Sequence, residues 1–306
     1  MEQFCDQPFV MKNRLEEISQ SLERQGYISD DSISMAIQLS QLLKKPILVE
    51  GPAGVGKTAI ARVMAEIMDT ELIRLQCYEG LDAHQAIYEW NYPRQLLQIK
   101  MMEAEEVSVD EKEAAIFSDK FLLERPLLKA IKAEKSTVLL IDEVDRADEE
   151  FESFLLELLS EWQITIPEIG TIQSQSIPQV ILTGNRTREL SEALRRRCIY
   201  LFIDYPAYEK ELQIVKQKVP DIDDQLAREI CAFMAELREM RLEKVPGVAE
   251  TLDWATSLSE MHFDHLDKTL VESTLGVVLK DWDDMRQAQD SLSELFDKVN
   301  VRLKVS

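Results

Sequence analysis

Basic residues are scarce in this chain of 306 residues. It has 35 lysines and arginines against 57 aspartates and glutamates, which gives a formal net charge of −22 at pH 7. Proteins that hold a nucleic-acid backbone, or that dock to an anionic membrane, do so with clustered basic side chains. The charge therefore disfavours both kinds of ligand, and we expect no nucleic acid among the partners.

Long apolar runs and paired cysteines are also lacking. The run Val138–Ile141, the longest near the middle of the chain, is far shorter than the roughly 20 residues that span a bilayer. The first residues show neither the basic nor the apolar stretch of a signal peptide. We expect no membrane insertion, a cytoplasmic location and reduced thiols, because no CxxC pair occurs among Cys5, Cys77, Cys198 and Cys231.

What the chain does contain is a series of short apolar runs that alternate with helical patterns. Apolar residues at helical spacing predict helices over 10–45, with a break at Gly26, and over 150–162. Buried strands that alternate with helices are typical of an α/β fold with a mainly parallel sheet. The predicted strands are 46–50, 72–77, 137–141, 180–183 and 199–203.

Two segments interrupt this alternation, and the C-terminal part does not share it. Residues 95–124 are acidic with a helical pattern, whereas 163–177 predict a hairpin around the turn Pro167–Gly170. From residue 206 onward the pattern is helical and contains no strand candidate. We therefore divide the chain into an α/β domain with N-terminal helices, residues 1–205, and a helical domain, residues 206–306.

The strongest functional motif is a complete G-x4-G-K-T sequence between the first strand and the following helix. In such a loop successive backbone N–H groups surround phosphates at the positive end of the helix. The lysine reaches the β- and γ-phosphates, and the threonine hydroxyl binds Mg²⁺. The motif predicts a site for ATP and Mg²⁺ at Gly51, Pro52, Ala53, Gly54, Val55, Gly56, Lys57 and Thr58.

Two carboxylates follow the apolar run Val138–Ile141. At the end of a buried strand, Asp142 is placed to hold Mg²⁺ through water and Glu143 to orient the attacking water. Together with the phosphate loop, this pair predicts nucleotide hydrolysis. Asp145 and Arg146 come directly after it, and both a role in the site and a surface turn are compatible with them.

Polar residues near the last two predicted strands complete the candidate site. Asn185 follows one strand and would lie beside the carboxylates in a parallel sheet, where it can position water near the γ-phosphate; the alternative is a Gly-Asn turn. Phosphoryl transfer also needs positive charge on the transferred group, often from a neighbouring subunit. One residue of the cluster Arg195, Arg196 and Arg197 is the candidate for this finger, and a solubilising patch is the alternative.

In this order the motifs resemble those of an AAA+ ATPase, and more narrowly of the MoxR family. The narrower resemblance is carried by Val49–Pro52, Arg74–Gly80, Asp142–Ala147 and Phe154–Pro167. The segments Tyr88–Leu97 and Thr183–Leu190 are similar to a branch that includes the maturation ATPase encoded with molybdenum-containing carbon monoxide dehydrogenase. The resemblance covers about residues 15–265.

The resemblance implies an αβα P-loop sandwich with a five-stranded parallel sheet in the order 5-1-4-3-2 and a C-terminal all-α lid. It makes 95–124 the helix-2 insert and 163–177 the pre-sensor-1 hairpin. It also implies a homo-hexamer that acts as a chaperone-like remodeler with a von Willebrand A-domain (VWA) protein on a client metalloenzyme, for which the narrower branch indicates a molybdenum enzyme. The positions of Walker A, Walker B, sensor 1 and the finger would be Lys57 with Thr58, Asp142 with Glu143, Asn185, and Arg197 with Arg196 as the alternative.

One position departs from the family pattern. The segment that normally carries the sensor-2 arginine corresponds to Val245–Thr251, which has none, and Arg238 and Arg241 are the nearby substitutes. This leaves two other functions open. A nucleic-acid motor or helicase loader is disfavoured by the charge, and a nucleotide-gated scaffold without hydrolysis is favoured by the missing arginine but opposed by the intact Walker motifs.

Overall fold

The computed structural model describes residues 7–102, 111 and 115–305. They group into two compact units. The first unit contains residues up to Ile18, Asp31–Glu50 and Ile60–Leu201, and the second contains Ser19–Asp30, Gly51–Ala59 and the chain from Phe202 onward. The domain boundary between residues 205 and 206 stays a prediction.

A five-stranded sheet forms the centre of the first unit. Strands are numbered in chain order, and the five are β1 (Ile47–Glu50), β2 (Leu72–Gln76), β5 (Val138–Asp142), β8 (Gln179–Gly184) and β9 (Ile199–Phe202). Their order is β2-β5-β8-β1-β9, and the pairs β2–β5, β5–β8 and β1–β8 are parallel. This is the expected order 5-1-4-3-2, so the predicted fold class is confirmed.

The burial of these strands explains why the sequence specified them so clearly. Every residue of β1, β5 and β8 is buried, so each strand appears as a short continuous apolar run. Polar residues enter only at their ends, where Glu50, Asp142 and Thr183 lie near the carboxyl edge of the sheet. This edge is therefore where chemistry is concentrated.

Helices surround the sheet and follow the predicted alternation. The N-terminal prediction over 10–45 corresponds to two helices, and the prediction over 150–162 to one that begins at an N-cap, since the Asp148 carboxylate accepts the Phe151 N–H. The helices up to the end of the sheet are α1 (Gln7–Arg24), α2 (Asp31–Leu43), α3 (Lys57–Ile67), α4 (Ala83–Ile87), α5 (Tyr92–Met102), α6 (Pro126–Lys132), α7 (Glu149–Glu161) and α8 (Glu192–Arg197).

Two small antiparallel pairs stand apart from the main sheet. The predicted hairpin is present as β6 (Gln163–Ile166) and β7 (Gly170–Gln173). The prediction of a helical pattern over 95–124 is wrong at its C-terminal end. There, Leu122–Glu124 forms a strand, β4, that pairs with β3 (Tyr88–Trp90). A pairing partner more than thirty residues away leaves no local pattern. Apart from Glu111, the acidic stretch Glu103–Glu113 lies outside the described residues.

The second unit is built around helices, which we call the lid. They are α9 (Tyr208–Lys218), α10 (Asp224–Arg238), α11 (Val248–Glu260), α12 (Lys268–Val278), α13 (Trp282–Asp290) and α14 (Leu292–Val305). Their core contains Phe233 packed edge-on against Trp254, both fully buried. As predicted, the described residues beyond 205 form no strand. None of the helices in the described part of the chain is long and apolar enough to cross a membrane.

Candidate active site

The phosphate loop, Gly51–Thr58, is held closed by its own lysine. Lys57 opens α3 and is buried, and its Nζ donates to the carbonyl oxygens of Gly51, at 2.8 Å, and Pro52, at 2.5 Å. A Cβ on Gly51 would lie 1.9 Å from the Ile203 carbonyl oxygen, so only glycine fits there. The Thr58 side chain lies on an exposed position of the first helical turn.

In the first unit, Asp142 ends β5 as a buried carboxylate with two kinds of partner. Its Oδ1 accepts from the Thr183 hydroxyl at 2.5 Å, and its Oδ2 lies 2.5 Å from Nη2 of Arg74. The Thr183 hydroxyl oxygen also accepts the Glu143 N–H at 3.0 Å. Mg²⁺ in nucleotide sites is commonly held by one or two carboxylates together with water and substrate phosphates, so the Asp142 carboxylate fits this ion.

Glu143 has an unusual backbone conformation. With φ 54° and ψ 49° it lies in the left-handed region, which costs a non-glycine residue about 1–3 kcal/mol. Its carboxylate is about one third exposed, and Oε2 lies 3.1 Å from Nη1 of Arg146. Such strain is kept where the surrounding structure needs a side chain to point in one direction. Glu143 directly follows the last residue of β5, and its partly exposed carboxylate is accessible to water.

Asp145 anchors the loop that carries Asn185. It is buried, and its Oδ2 accepts the N–H groups of Asn185 at 3.0 Å and Thr187 at 2.8 Å, together with the Thr187 hydroxyl at 2.8 Å. We call Asn185–Thr187 the sensor-1 loop. The sequence left the role of Asp145 open, and the structure shows that it fixes this loop beside the carboxyl edge. The sequence signal for this role was the position of Asp145, only three residues after Asp142 at the end of a buried strand.

A second polar group on this edge had no counterpart in the sequence analysis. Glu50, the last residue of β1, is buried and accepts the Tyr200 hydroxyl at 2.9 Å. Its Oε2 also lies 4.0 Å from Nε of Arg186. Burial, and then the bond to Glu50, raise the pKa of the Tyr200 hydroxyl. Glu50 is therefore a buried acceptor at the residue from which the chain enters the phosphate loop.

The acidic residues of this edge also affect the pKa of the nearby Cys77 thiol. Burial, followed by the charges of Asp142, Asp145 and Glu143, raises its pKa to about 12. Three carboxylates of this edge therefore lie close enough together to act on one thiol.

The three consecutive arginines have partners within their own chain. In the described part of the chain, none of them hydrogen-bonds to Asp142 or Glu143. The side chain of Arg196 is about three-quarters exposed, and Arg197 is also exposed. The contacts are Arg195 on the Tyr200 ring, Arg196 with Glu192, and Arg197 with Ser160. Which of them serves as a finger stays a prediction.

The two nearby substitutes for the missing sensor-2 arginine differ in their surroundings. In the lid, the Arg238 guanidinium is buried against Glu211, with Nη1–Oε2 and Nη2–Oε1 distances of 2.6 and 2.7 Å. Arg241 is exposed beyond the end of α10. Arg238 thus serves a structural contact rather than offering its charge to a phosphate.

The AAA domain family (dynein-related subfamily) matches residues 46–198, which is half of the chain and includes the phosphate loop, Asp142, Glu143 and the sensor-1 loop. The chain belongs to this AAA family. The predicted ATP-hydrolysing enzyme is confirmed at this level.

Two bacterial proteins are similar to the chain over about two thirds of its length. An uncharacterized protein of Staphylococcus aureus strain NCTC 8325 / PS 47 is 28% identical over 205 residues, which are 65% of the AAA chain and 70% of that protein. An uncharacterized protein of Staphylococcus saprophyticus is 27% identical over 222 residues, covering 70% and 77%.

Solved structures similar to the AAA chain include RuvB proteins of Thermotoga maritima. A point mutant of RuvB aligns with a TM-score of 0.48 and 18% identity over 95% of the AAA chain and 83% of that chain. The RuvB Holliday junction branch migration motor aligns with a TM-score of 0.46 and 20% identity. The alignment covers 90% of the AAA chain and 80% of the RuvB chain.

Proposed function

We propose that this AAA ATPase is a chaperone-like remodeler that works with a VWA-domain protein to mature or activate a client metalloenzyme in the cytoplasm. The observation that supports the hydrolytic part is the carboxyl edge of the sheet. Asp142 and Glu143 lie there together with the sensor-1 loop, which Asp145 ties to them. The same edge ends β1, from which the chain runs directly into the phosphate loop.

Each predicted residue has a role in this proposal. Lys57 neutralises phosphate charge, Glu143 orients and deprotonates the attacking water, and Asn185 positions that water. Thr58 and Asp142 would hold Mg²⁺, which supplies charge neutralisation on the phosphates when bound. Among the described residues no side chain hydrogen-bonds to the Asn185 amide group, so that group is available to water.

The assembly and its partners rest on the resemblance to the MoxR family. Exposed Arg197, or Arg196 in its place, would contribute positive charge to a neighbouring subunit of a homo-hexamer. The segments Tyr88–Leu97 and Thr183–Leu190 support the branch associated with molybdenum enzymes. Tyr88–Trp90 forms β3, and Asn185–Thr187 forms the sensor-1 loop, so these segments lie at structured positions of the first unit.

A capture experiment tests the proposed partner. Tagged Glu143→Gln protein, held in the ATP state, is used as bait with Mg·ATP, and Lys57→Ala protein with Mg·ATP is the matched control. We expect a VWA-domain protein, and a metalloenzyme through it, to be enriched on the Glu143→Gln bait alone. Absence of any VWA-domain protein from both baits contradicts this partner assignment.

The same preparation separates the alternative functions. Phosphate release that rises on addition of single-stranded DNA at physiological salt replaces the proposal with a nucleic-acid motor. Nucleotide binding without phosphate release, even with the VWA protein present, replaces it with a nucleotide-gated scaffold.

A further inference from the structure

The segment that precedes α11 lies directly against the phosphate loop, within the second unit. We call this segment, Val245–Gly247, the Gly247 segment. A Cβ on Gly247 would lie 2.7 Å from the Ala53 carbonyl oxygen and 2.9 Å from Cα of Gly54. The Ala249 N–H donates to the Gly54 carbonyl oxygen at 3.2 Å. The two backbones therefore touch at a point where a side chain on Gly247 would clash with the phosphate loop.

Gly54 makes the contact reciprocal. Its φ is 74°, and a Cβ there would lie 3.1 Å from Oε2 of Glu250 and 3.2 Å from Cα of Gly247. The same Glu250 oxygen accepts the Gly247 N–H at 2.8 Å, so the start of α11 is capped by its own chain. The contact is thus a fitted one between two defined backbone conformations.

Arg238 fixes the Gly247 segment from the other side. Its Nε donates to the Pro246 carbonyl oxygen at 2.8 Å and its Nη2 to the Gly247 carbonyl oxygen at 3.2 Å. The guanidinium is itself fixed by the two-fold ion pair with Glu211, whose side chain is fully buried. It also lies 5.1 Å from the ring centroid of Tyr205.

Thr251 completes this arrangement on the first turn of α11. It is fully buried, its hydroxyl donates to Oε1 of Glu211 at 2.6 Å, and the hydroxyl oxygen accepts from Nη2 of Arg238 at 3.0 Å. The planar guanidinium uses its donors in a fixed fork, so moving the Gly247 segment breaks several charge-assisted bonds at once. The lid helices α9, α10 and α11 are thereby linked rigidly to one backbone contact on the phosphate loop.

We propose that Arg238 is a positioning residue for nucleotide binding, which holds the Gly247 segment on the phosphate loop so that the lid responds to loop occupancy through this backbone contact instead of a sensor-2 arginine. The proposal rests on the function proposed above, since it concerns the same nucleotide. Coupling between the two segments is reciprocal: displacing the Gly247 segment weakens the binding of the nucleotide, and nucleotide binding changes the protection of the segment.

Binding of a fluorescent ADP analogue to the full chain, with Mg²⁺ present, tests the proposal without relying on turnover. Gly247→Ala inserts a methyl group into the contact, and Arg238→Met removes the guanidinium. Arg302→Met is the matched control, because Arg302 also pairs with a lid glutamate, Glu236, at 2.6 Å. We expect the first two variants to weaken binding about fivefold or more, as for a coupling of ordinary size, and the control to stay within about twofold.

Hydrogen exchange of the segment 245–251 with and without ADP gives a second readout that a merely structural role would not move. We expect ADP to slow exchange at the Ala249 amide in the wild-type protein, and this response to be lost in Arg238→Met. If Arg238→Met does not fold, Gly247→Ala decides the question with the same two readouts.

The outcomes separate the two proposals. A wild-type protein that binds no ADP contradicts the proposed function and the inference together. ADP binding by the wild type, with unchanged affinity and exchange response in folded Gly247→Ala, overturns the inference alone. An equal loss in Arg302→Met also overturns it, because the effect would then follow from weakening the lid in general.

Discussion

Asp145 and Glu211 are two buried carboxylates that each hold a neighbouring segment in place, but with different kinds of partner. Asp145, in the first unit, accepts two backbone N–H groups and a hydroxyl, and its Oδ1 has no hydrogen-bond partner among the described residues. Glu211, in the lid, is fully buried against a guanidinium. Each holds a segment in place, the sensor-1 loop in one case and the Gly247 segment in the other. Asp145 acts through the position of one acceptor oxygen, which we call dependence on shape, whereas Glu211 acts through its ion pair, which we call dependence on charge.

This difference matters in a chain with so few basic residues. Backbone N–H groups and a hydroxyl satisfy the Asp145 carboxylate, so this anchor uses no arginine or lysine. In the lid, by contrast, an arginine pairs with Glu211, so the two side chains satisfy each other. Substitutions at the two anchors should therefore have different consequences.

The largest effect is expected for Glu211→Ala. Removing one partner of a buried pair leaves the Arg238 charge without compensation, which costs about 3–5 kcal/mol of unfolding free energy. The double variant Glu211→Leu/Arg238→Met should recover much of this loss, because it buries no charge. Equilibrium unfolding in urea measures both, and additive losses in the double variant would contradict an anchor that depends on charge.

Asp145→Ala should come next. It leaves three donors of the sensor-1 loop without their acceptor. Because Thr187 is exposed and Asn185 half-buried, water replaces part of the lost bonding, and the expected loss is about 1–2 kcal/mol. Asp145→Asn is the matched variant, since it keeps one oxygen as acceptor and its amide nitrogen can replace the unpartnered Oδ1. Its loss should stay below about 1 kcal/mol. Equal losses in the two variants would show that charge, rather than shape, matters at Asp145.

Arg74→Met should have a smaller effect on stability. Arg74 is more than half exposed, so its ion pair with Asp142 contributes at most about 1 kcal/mol. Because the substitution removes a cation that shares the carboxylate, half-maximal phosphate release should need less Mg²⁺, by about twofold or more. Titration of turnover with Mg²⁺ measures this shift, and a higher requirement for Mg²⁺ would mean that Arg74 assists rather than competes.

The smallest effect concerns Cys77, whose folded pKa of about 12 lies above the ordinary thiol value of about 8.5. The neutral thiol is favoured in the folded state, so its contribution to stability is complete below about pH 8.5 and declines as the pH rises towards 12. At pH 8 we expect iodoacetamide to label Cys77 only in unfolded protein. Peptide-resolved mass spectrometry measures this, and rapid labelling of the native protein would contradict the burial of this edge.

The sequence was sufficient for the features that depend on local pattern. Buried strands gave continuous apolar runs, and the phosphate loop needs glycines at fixed spacing, as the close approach of Ile203 to Gly51 shows. The strand order followed from the family resemblance rather than from the pattern itself. Asp142, Glu143 and Asn185 each follow a buried strand, so the pattern of a parallel sheet alone predicts that they lie near one edge.

Contacts between distant residues could not be predicted in this way. Tyr200 reaches Glu50 across 150 positions, and β3 pairs with β4 around the insert. Arg238 was considered as a phosphate ligand because its charge is visible in the sequence, whereas the buried partner that engages it, Glu211, is visible only in the fold. An isolated acidic residue in a helical pattern gives no sign of whether it is solvated or buried.

The role proposed for Glu143 is to activate the attacking water in ATP hydrolysis, and phosphate release tests this role most directly. Wild-type protein, Glu143→Gln and Lys57→Ala are compared at saturating Mg·ATP, with nucleotide affinity measured alongside. We predict that Glu143→Gln binds ATP within about threefold of the wild type but releases phosphate at least about a hundredfold more slowly, while Lys57→Ala loses binding. Full phosphate release by Glu143→Gln would contradict this account.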